Sequence, residues 1–164
     1  MLLGKVLAAC AMCENKYVTW LPAYGAEVRG GTAHCSVIIS DEKIGSPYID
    51  KADILIIMNT PSFFRFKDKI KNNGMLFVNS SLVNKHILAK HKLFPGSFTV
   101  IASASGNIKV ANMVALGMLV GKTSILKTKT VKKVILQMGS GLSKELIDIN
   151  FKAYDAGLDL AGRG

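Results

Sequence analysis

Glu27 and Arg29 stand between Gly25 and the Gly30-Gly31 pair, just ahead of a strand-like run, and no other stretch is so well equipped for recognition chemistry. In a short extended piece the alternation Glu27-Val28-Arg29 exposes a carboxylate and a guanidinium on one side, and the glycines permit backbone conformations closed to other residues. An arginine beside two glycines can offer its planar fork to a carboxylate or phosphate at close backbone approach. The same residues can equally form a turn with an internal Glu27–Arg29 pair. Two further polar groups, Asn59-Thr60-Pro61 and Asn79-Ser80-Ser81, each follow an apolar run of strand length. Ligands gather beyond the carboxyl ends of strands in open α/β sheets; Asn, Ser and Thr at such points also cap the segment that follows.

A catalytic constellation is hard to assemble. The histidines are His34, in a strand-like alternation, and His86 and His91, in the lysine-rich NKHILAKHK. They show no metal-ligand spacing and no Ser-His-Asp order, so surface or packing roles are expected, with no catalytic residue and no metal site. Cys10-Ala-Met-Cys13 matches C-x-x-C but lies inside an apparent helix, whereas a redox dithiol places its first cysteine at a helix N-terminus. Core cysteines are expected, and three cysteines, with Cys35, cannot alone hold an iron–sulfur cluster that takes four thiolates. Gly139-Ser140-Gly141 before a helix is a weak anion-site signal, since such glycines are also plain connectors.

The elements that must position these groups follow from periodicity. Leu3, Val6, Leu7, Cys10 and Cys13 recur at helical spacing, predicting a helix from Leu2 to about Asn15. Tyr17 to Trp20 reads as a short strand ended by Pro22, Gly25 to Gly31 as a loop, and Ala33 to Ser40 as a strand with Cys35, Val37 and Ile39 facing the core. Ala52 to Met58 is a continuous apolar run, the pattern of a central strand buried on both faces. Thr60 as N-cap and Pro61 at the first position open a helix through SFFRFKDKI. Met75 to Asn79 and Ser97 to Ala102 read as strands. A helix over about Asn107 to Val120 carries Gly117 and Gly121 for close packing onto a sheet, and helices over Thr130 to Met138 and Ser143 to Ala156, the last capped by Ser143, complete the chain. Strands alternating with helices indicate one α/β domain over residues 1–164, with helices on both faces of a mostly parallel sheet.

Composition excludes several classes. An apolar fraction of 49% rules out a disordered chain and suits a subunit covered by partners. The longest apolar stretch, Val110 to Gly121, is well short of the roughly 20 residues that span a bilayer, and the N-terminal apolar run lacks the basic flank of a secretory signal. A cytoplasmic location without membrane attachment is expected. The net charge of +10 is densest over Lys122 to Lys133, without aromatics or a nucleic-acid motif, so a solvated face or an interface with an acidic partner is expected rather than nucleic acid.

The segment from Trp20 to Ser40, with its Tyr-Gly-x-Glu-x-Arg-Gly-Gly-Thr-Ala core and Cys-Ser-Val-Ile-Ile-Ser run, closely resembles the gamma subunits of 2-oxoacid:ferredoxin oxidoreductases, most of all the 2-oxoglutarate branch. Ile44 to Pro47, Met58-Asn59, Pro61-Ser62, Val78 to Ser81, Asn112 to Gly117 and Asn150 to Ala153 extend the resemblance over nearly the whole chain. It implies a three-layer α/β/α domain with a mostly parallel, mixed sheet, within an enzyme that decarboxylates a 2-oxoacid, passes electrons to ferredoxin and forms an acyl-coenzyme A. It also implies alpha, beta and delta-type partner subunits that carry thiamine diphosphate, magnesium and iron–sulfur clusters, with coenzyme A as co-substrate and no cofactor on this chain. Tyr24, Gly25, Glu27, Arg29, Gly30, Gly31 and Thr32 match the family signature and are expected at the interface near the coenzyme A and substrate entrance, with Asn59 and Asn79 as further candidates. The alternative is a free-standing α/β module that binds a nucleotide or coenzyme A. The resemblance departs at the start, where family members place a strand and a Gly-Gly-Gln-Gly turn before the first helix. Met1 is therefore expected to be an internal methionine of a longer reading frame, and no phosphate-cradling loop is assigned at the N-terminus.

Overall fold

The computed structural model describes residues 1–24, 32–83 and 92–162. They gather into two compact units, one of residues 1–49 and 125–147, the other of residues 50–124 and 148–164.

In the first unit, helix α1 (Leu2–Cys13) buries Val6, Leu7, Cys10 and Ala11. It ends in a left-handed Asn15 (φ 57), after which the Lys16 N–H bonds the Ala11 carbonyl and the Asn15 N–H the Met12 carbonyl, a closure that satisfies two terminal carbonyls. Strands β1 (Tyr17–Tyr24) and β2 (Ala33–Ser40) pair antiparallel from Tyr17↔Ser40 to Tyr24↔Ala33. Pro22 does not end β1: it pairs opposite Cys35, as proline can on an edge strand of a two-stranded sheet, where its missing N–H breaks no ladder on the open side. The face carrying Trp20, Cys35 and Val37 receives α1 at Gly4, where a Cβ would stand 2.4 Å from Cys35 Sγ. Helix α5 (Thr128–Met138) packs against α1 through a buried Val131, Val134 and Ile135 stripe at helical spacing. Of the cysteines expected in the core only Cys10 is fully buried; Cys13 is exposed, on the outer face of α1, and Cys35 is half-buried.

The second unit holds a parallel sheet of order β3-β4-β5, formed by Ala52–Ile57, Ile70–Asn79 and Lys92–Gly96. β3 is therefore an edge rather than central. Its residues are mostly half-buried, whereas β4 carries Leu76, Phe77 and Val78 at 1% exposure or less, buried on both faces. Helix α2 (Thr60–Phe66) covers one face, with Phe63 in a cluster with Ile57, Ile70, Leu76, Val78 and Val83. The other face presents Phe77 stacked on Phe94 at 5.0 Å between centroids, next to Gly96, whose Cβ would meet Met118 Sδ at 3.1 Å. Met118 belongs to α4 (Ala111–Thr123), which follows a short 3-10 turn at Ile108–Val110, so this unit has helix, sheet and helix in three layers.

Four further expectations change. The helix expected through SFFRFKDKI stops at Phe66, and Ile70 already belongs to β4. The stretch Ser97 to Ala102 is not a strand: β5 precedes it and helix α3 (Phe98–Ala104) occupies it, burying Phe98 and Ala102 on one face and overriding the β-branched composition. Asn59, not Thr60, caps α2, its Oδ1 accepting the Ser62 N–H at 2.9 Å. Gly117 packs on a helix rather than a sheet, meeting α6 (Lys144–Gly162), where its Cβ would lie 2.1 Å from the Tyr154 carbonyl oxygen. Ser143 does cap α6, accepting the Leu146 N–H at 3.3 Å, and the helix runs beyond Ala156 to Gly162. No helix among the described residues is long and apolar enough to cross a membrane.

Candidate functional site

All three strands of the parallel sheet end on the same side, because they are parallel, and the polar residues after them converge there. Asn79, the last residue of β4, is fully buried and organises this edge. Its amide Nδ2 donates to the Met58 carbonyl beyond β3 (3.1 Å) and to Thr99 Oγ1 beyond β5 (2.7 Å). Its Oδ1 accepts the Ser81 N–H (3.3 Å) and the Thr99 N–H (3.4 Å). A buried amide with every donor and acceptor engaged is a fastener, and Asn79 holds the ends of β3 and β4 and the start of α3 at fixed separation.

Around it stands an outer ring that solvent reaches. Thr60 Oγ1 donates to the Leu82 carbonyl at 2.7 Å, and the Ser80 and Ser97 hydroxyls are hydrogen-bonded to each other at 3.2 Å. Asn59 and Ser97 are exposed, Ser80, Ser81 and Thr99 half-buried. Leu82 and Val100, both more than half exposed, flank the hydroxyls. This edge can accept or donate hydrogen bonds and seat an apolar chain beside them, and its side chains named here are uncharged among the described residues. Thr99 and Ser97 were not legible as part of it, because a strand through Ser97 to Ala102 would have carried them away from Asn79. The breaker pair Pro95-Gly96 was the available signal that β5 stops before Ser97.

In the first unit, Tyr24 and Thr32 stand at the end of the β1–β2 sheet. Tyr24 pairs with Ala33 and is 72% exposed, while Thr32 is half-buried, with its Oγ1 shielded and lacking a hydrogen-bond partner among the described residues. Gly25, Glu27, Arg29, Gly30 and Gly31 lie outside the described residues, as do His86 and His91. The sequence motif therefore joins two strand ends that the ladder holds side by side.

Burial in α1, with the nearby Cys13 and Glu14 adding to it, pushes the Cys10 thiol up to about 12. Among the described residues no three His, Cys, Asp or Glu side chains are grouped to hold a metal.

A family model for pyruvate ferredoxin/flavodoxin oxidoreductase matches residues 1–160. The chain belongs to this family. Among its relatives in the pyruvate ferredoxin/flavodoxin oxidoreductase family, the chain is 34% identical over 161 residues to ketoisovalerate oxidoreductase subunit VorA of Methanothermobacter thermautotrophicus, covering 97% of this chain and 33% of VorA. It thus spans about a third of that relative's length. With 2-oxoglutarate synthase subunit KorC of Methanocaldococcus jannaschii it is 33% identical over 164 residues, covering 98% of this chain and 86% of KorC. Two solved structures share the fold. The gamma subunit of a keto/oxoacid ferredoxin oxidoreductase from Geobacter sulfurreducens superposes with a TM-score of 0.84 at 27% identity, covering 99% of this chain and 91% of that one. The 2-oxoglutarate:ferredoxin oxidoreductase of Magnetococcus marinus, with 2-oxoglutarate, coenzyme A and succinyl-CoA bound, gives 0.88 at 25% identity, covering 99% of this chain and 28% of that one.

Proposed function

We propose that residues 1–164 act as one gamma-type subunit of a cytoplasmic, multi-subunit 2-oxoacid:ferredoxin oxidoreductase, and that the chain does not turn over substrate alone. The observation that carries this reading is the correspondence with the Geobacter gamma subunit, over 99% of this chain and 91% of that one. The likeness to 2-oxoglutarate synthase subunit KorC, at 33% identity over 98% of this chain, makes 2-oxoglutarate the 2-oxoacid of this proposal. Partners of alpha, beta and delta type then hold thiamine diphosphate, magnesium and iron–sulfur clusters, which supply the decarboxylation and electron-transfer chemistry.

The work left to this chain is positioning. Tyr24 and Thr32 anchor the two ends of the segment that holds Gly25, Glu27, Arg29, Gly30 and Gly31, and that segment forms the interface near the coenzyme A and substrate entrance. Arg29 is the group suited to a phosphate or a partner carboxylate, since its guanidinium presents a planar fork. Asn79 and Asn59 fix the strand-end edge, whose hydroxyls and exposed Leu82 and Val100 suit a long ligand that alternates amides with methylenes, as coenzyme A does.

The test is co-expression with the neighbouring genes, isolation of the complex, and assay of coenzyme A-dependent ferredoxin reduction with 2-oxoglutarate, 2-oxoisovalerate and pyruvate. Activity confined to the complex and greatest with 2-oxoglutarate is expected. Turnover by the pure single chain would overturn the subunit role, and a preference for another oxoacid would overturn the substrate.

A further inference from the structure

We propose that the outer face of α5 is a docking surface for a carboxylate-rich patch on a partner subunit, a reading that rests on the subunit role above. Lys127 stands at the N-cap of α5, and Lys129, Lys132 and Lys133 follow within the helix, whose first turn has no acidic residue. The helix dipole places partial positive charge at this end, where cations are disfavoured. Lys129 and Lys133 also stand four residues apart, the spacing at which like charges on a helix repel. The Glu14 carboxylate accepts the backbone N–H of Lys127 at 2.8 Å, which caps the helix, and among the described residues the Lys127 ammonium forms no ion pair. Among the described residues ion pairs such as Lys16–Asp41, Lys69–Asp50 and Lys71–Asp53 form, and none engages Lys127, Lys129 or Lys133.

Local rules broken in this way mark functional surfaces. Lys127 and Lys129 sit at the helix end whose dipole opposes them, and among the described residues the carboxylate that faces this end, Glu14, bonds the backbone rather than either ammonium. The same exposed stripe continues, by steps of four and three, from Lys129 and Lys133 to Leu136, which is 54% exposed, and Leu142 beyond the helix is 50% exposed. A partner that brings aspartates or glutamates against Lys129 and Lys133 and an apolar seat for Leu136 relieves both the charge repulsion and the exposed leucine. Nucleic acid fits less well, because the stripe offers no aromatic for base stacking and ends in a leucine that a phosphate backbone would not cover.

The test uses the complex co-purified with its partner subunits. A water-soluble carbodiimide, which joins amines only to carboxylates they touch, should link Lys129 or Lys133 to an Asp or Glu of another subunit. Acetylation of the same two lysines should be slower than in the free full-length chain by about tenfold or more, while exposed Lys67 on α2's C-terminal side reacts equally in both. A Lys129→Glu, Lys133→Glu double variant should leave the far-UV circular dichroism unchanged and lower the salt concentration at which the complex dissociates. If the complex forms but both lysines react at the free-chain rate and the double variant assembles normally, the inference falls and the subunit role stands. If no complex forms, both fall. Tight binding of a duplex DNA oligonucleotide that the double variant abolishes would replace the acidic protein partner with nucleic acid.

Discussion

Gly157→Ala should destabilise the chain, against the sign that helix propensity dictates. Gly157 lies inside α6, where an alanine normally stabilises by about 1 kcal/mol relative to glycine. Here α6 crosses α4 with the two backbones in contact. An added Cβ would stand 2.1 Å from the Val114 carbonyl oxygen, 2.9 Å from its carbonyl carbon and 3.0 Å from the Gly117 Cα. These are backbone atoms and cannot rotate away, and a tolerable contact begins at about 3.0–3.4 Å, so the helices must part by roughly 1 Å. Overpacking of this kind costs about 1–3 kcal/mol, and more where the backbone must move. Parting also loosens Tyr154, Val114 and Leu116, all fully buried. The expected net loss is about 2 kcal/mol, or a Tm lower by roughly 4–8 °C for a chain of this size. Urea unfolding of the purified chain, followed by far-UV circular dichroism, measures it. Gly162→Ala on the same helix, with nothing within 4 Å of its Cβ, is the matched control and should be neutral or stabilising. A Gly157→Ala chain as stable as wild type would refute the close crossing of α4 and α6.

Asn79→Ala should cost about 1–3 kcal/mol by leaving the Met58 carbonyl and the Thr99 N–H without their partner, and combining it with Thr99→Val should cost less than the two single changes summed, read by a double-mutant cycle. In the assembled enzyme, Arg29→Lys should weaken assembly or raise the coenzyme A requirement without unfolding the chain, because lysine keeps the charge and loses the fork; unchanged kinetics for both Arg29→Lys and Arg29→Ala would reduce the segment to a turn. At pH 8, iodoacetamide should label exposed Cys13 in the native chain and reach Cys10 only on unfolding. Because the Cys10 thiol is raised from 9.0 to about 12 in the folded chain, the unfolded state ionises first. Stability present below pH 9 should therefore be lost as pH rises from 9 towards 12, and a Cys10→Ala chain should show a shallower decline over that window.

Much of the architecture was legible because local and tertiary signals agree. The alternation of Ala33 to Ser40 returns the bounds of β2 residue for residue, and the periodicity of Leu3 to Cys13 returns α1. Where the two signals diverge, the pattern misled. Phe98 to Ile101 is β-branched and aromatic, yet it folds as a helix because Phe98 and Ala102 bury one helical face. The apolar run of β3 matches a central strand, but which strand lies centrally depends on pairing order, which no single segment encodes. At the strand-end edge, Asn79 was found from its place after an apolar run. Its four hydrogen bonds, one of them to a residue 21 positions away, were invisible without the fold. Gly117 and Gly121 of α4 announced a close approach, but it was expected onto a sheet, whereas the backbone that meets Gly117 is that of α6.

The two units are interleaved along the chain, and this constrains the order in which the polypeptide can mature. Residues 1–49 are completed by residues 125–147, and residues 50–124 by residues 148–164. On the ribosome, α1 and the β1–β2 pair therefore emerge with the α5-facing side of α1 bare, and must wait through the synthesis of the whole parallel sheet. That sheet in turn has α4 in place while the glycine side of α4 is still uncovered. Each unit closes only when its late helix arrives, α5 first and α6 second. A chain truncated between Ile125 and Ile147 would leave α4 with Val114 and Gly117 without the α6 backbone that covers them, while one truncated after Ile147 would hold both segments of the first unit.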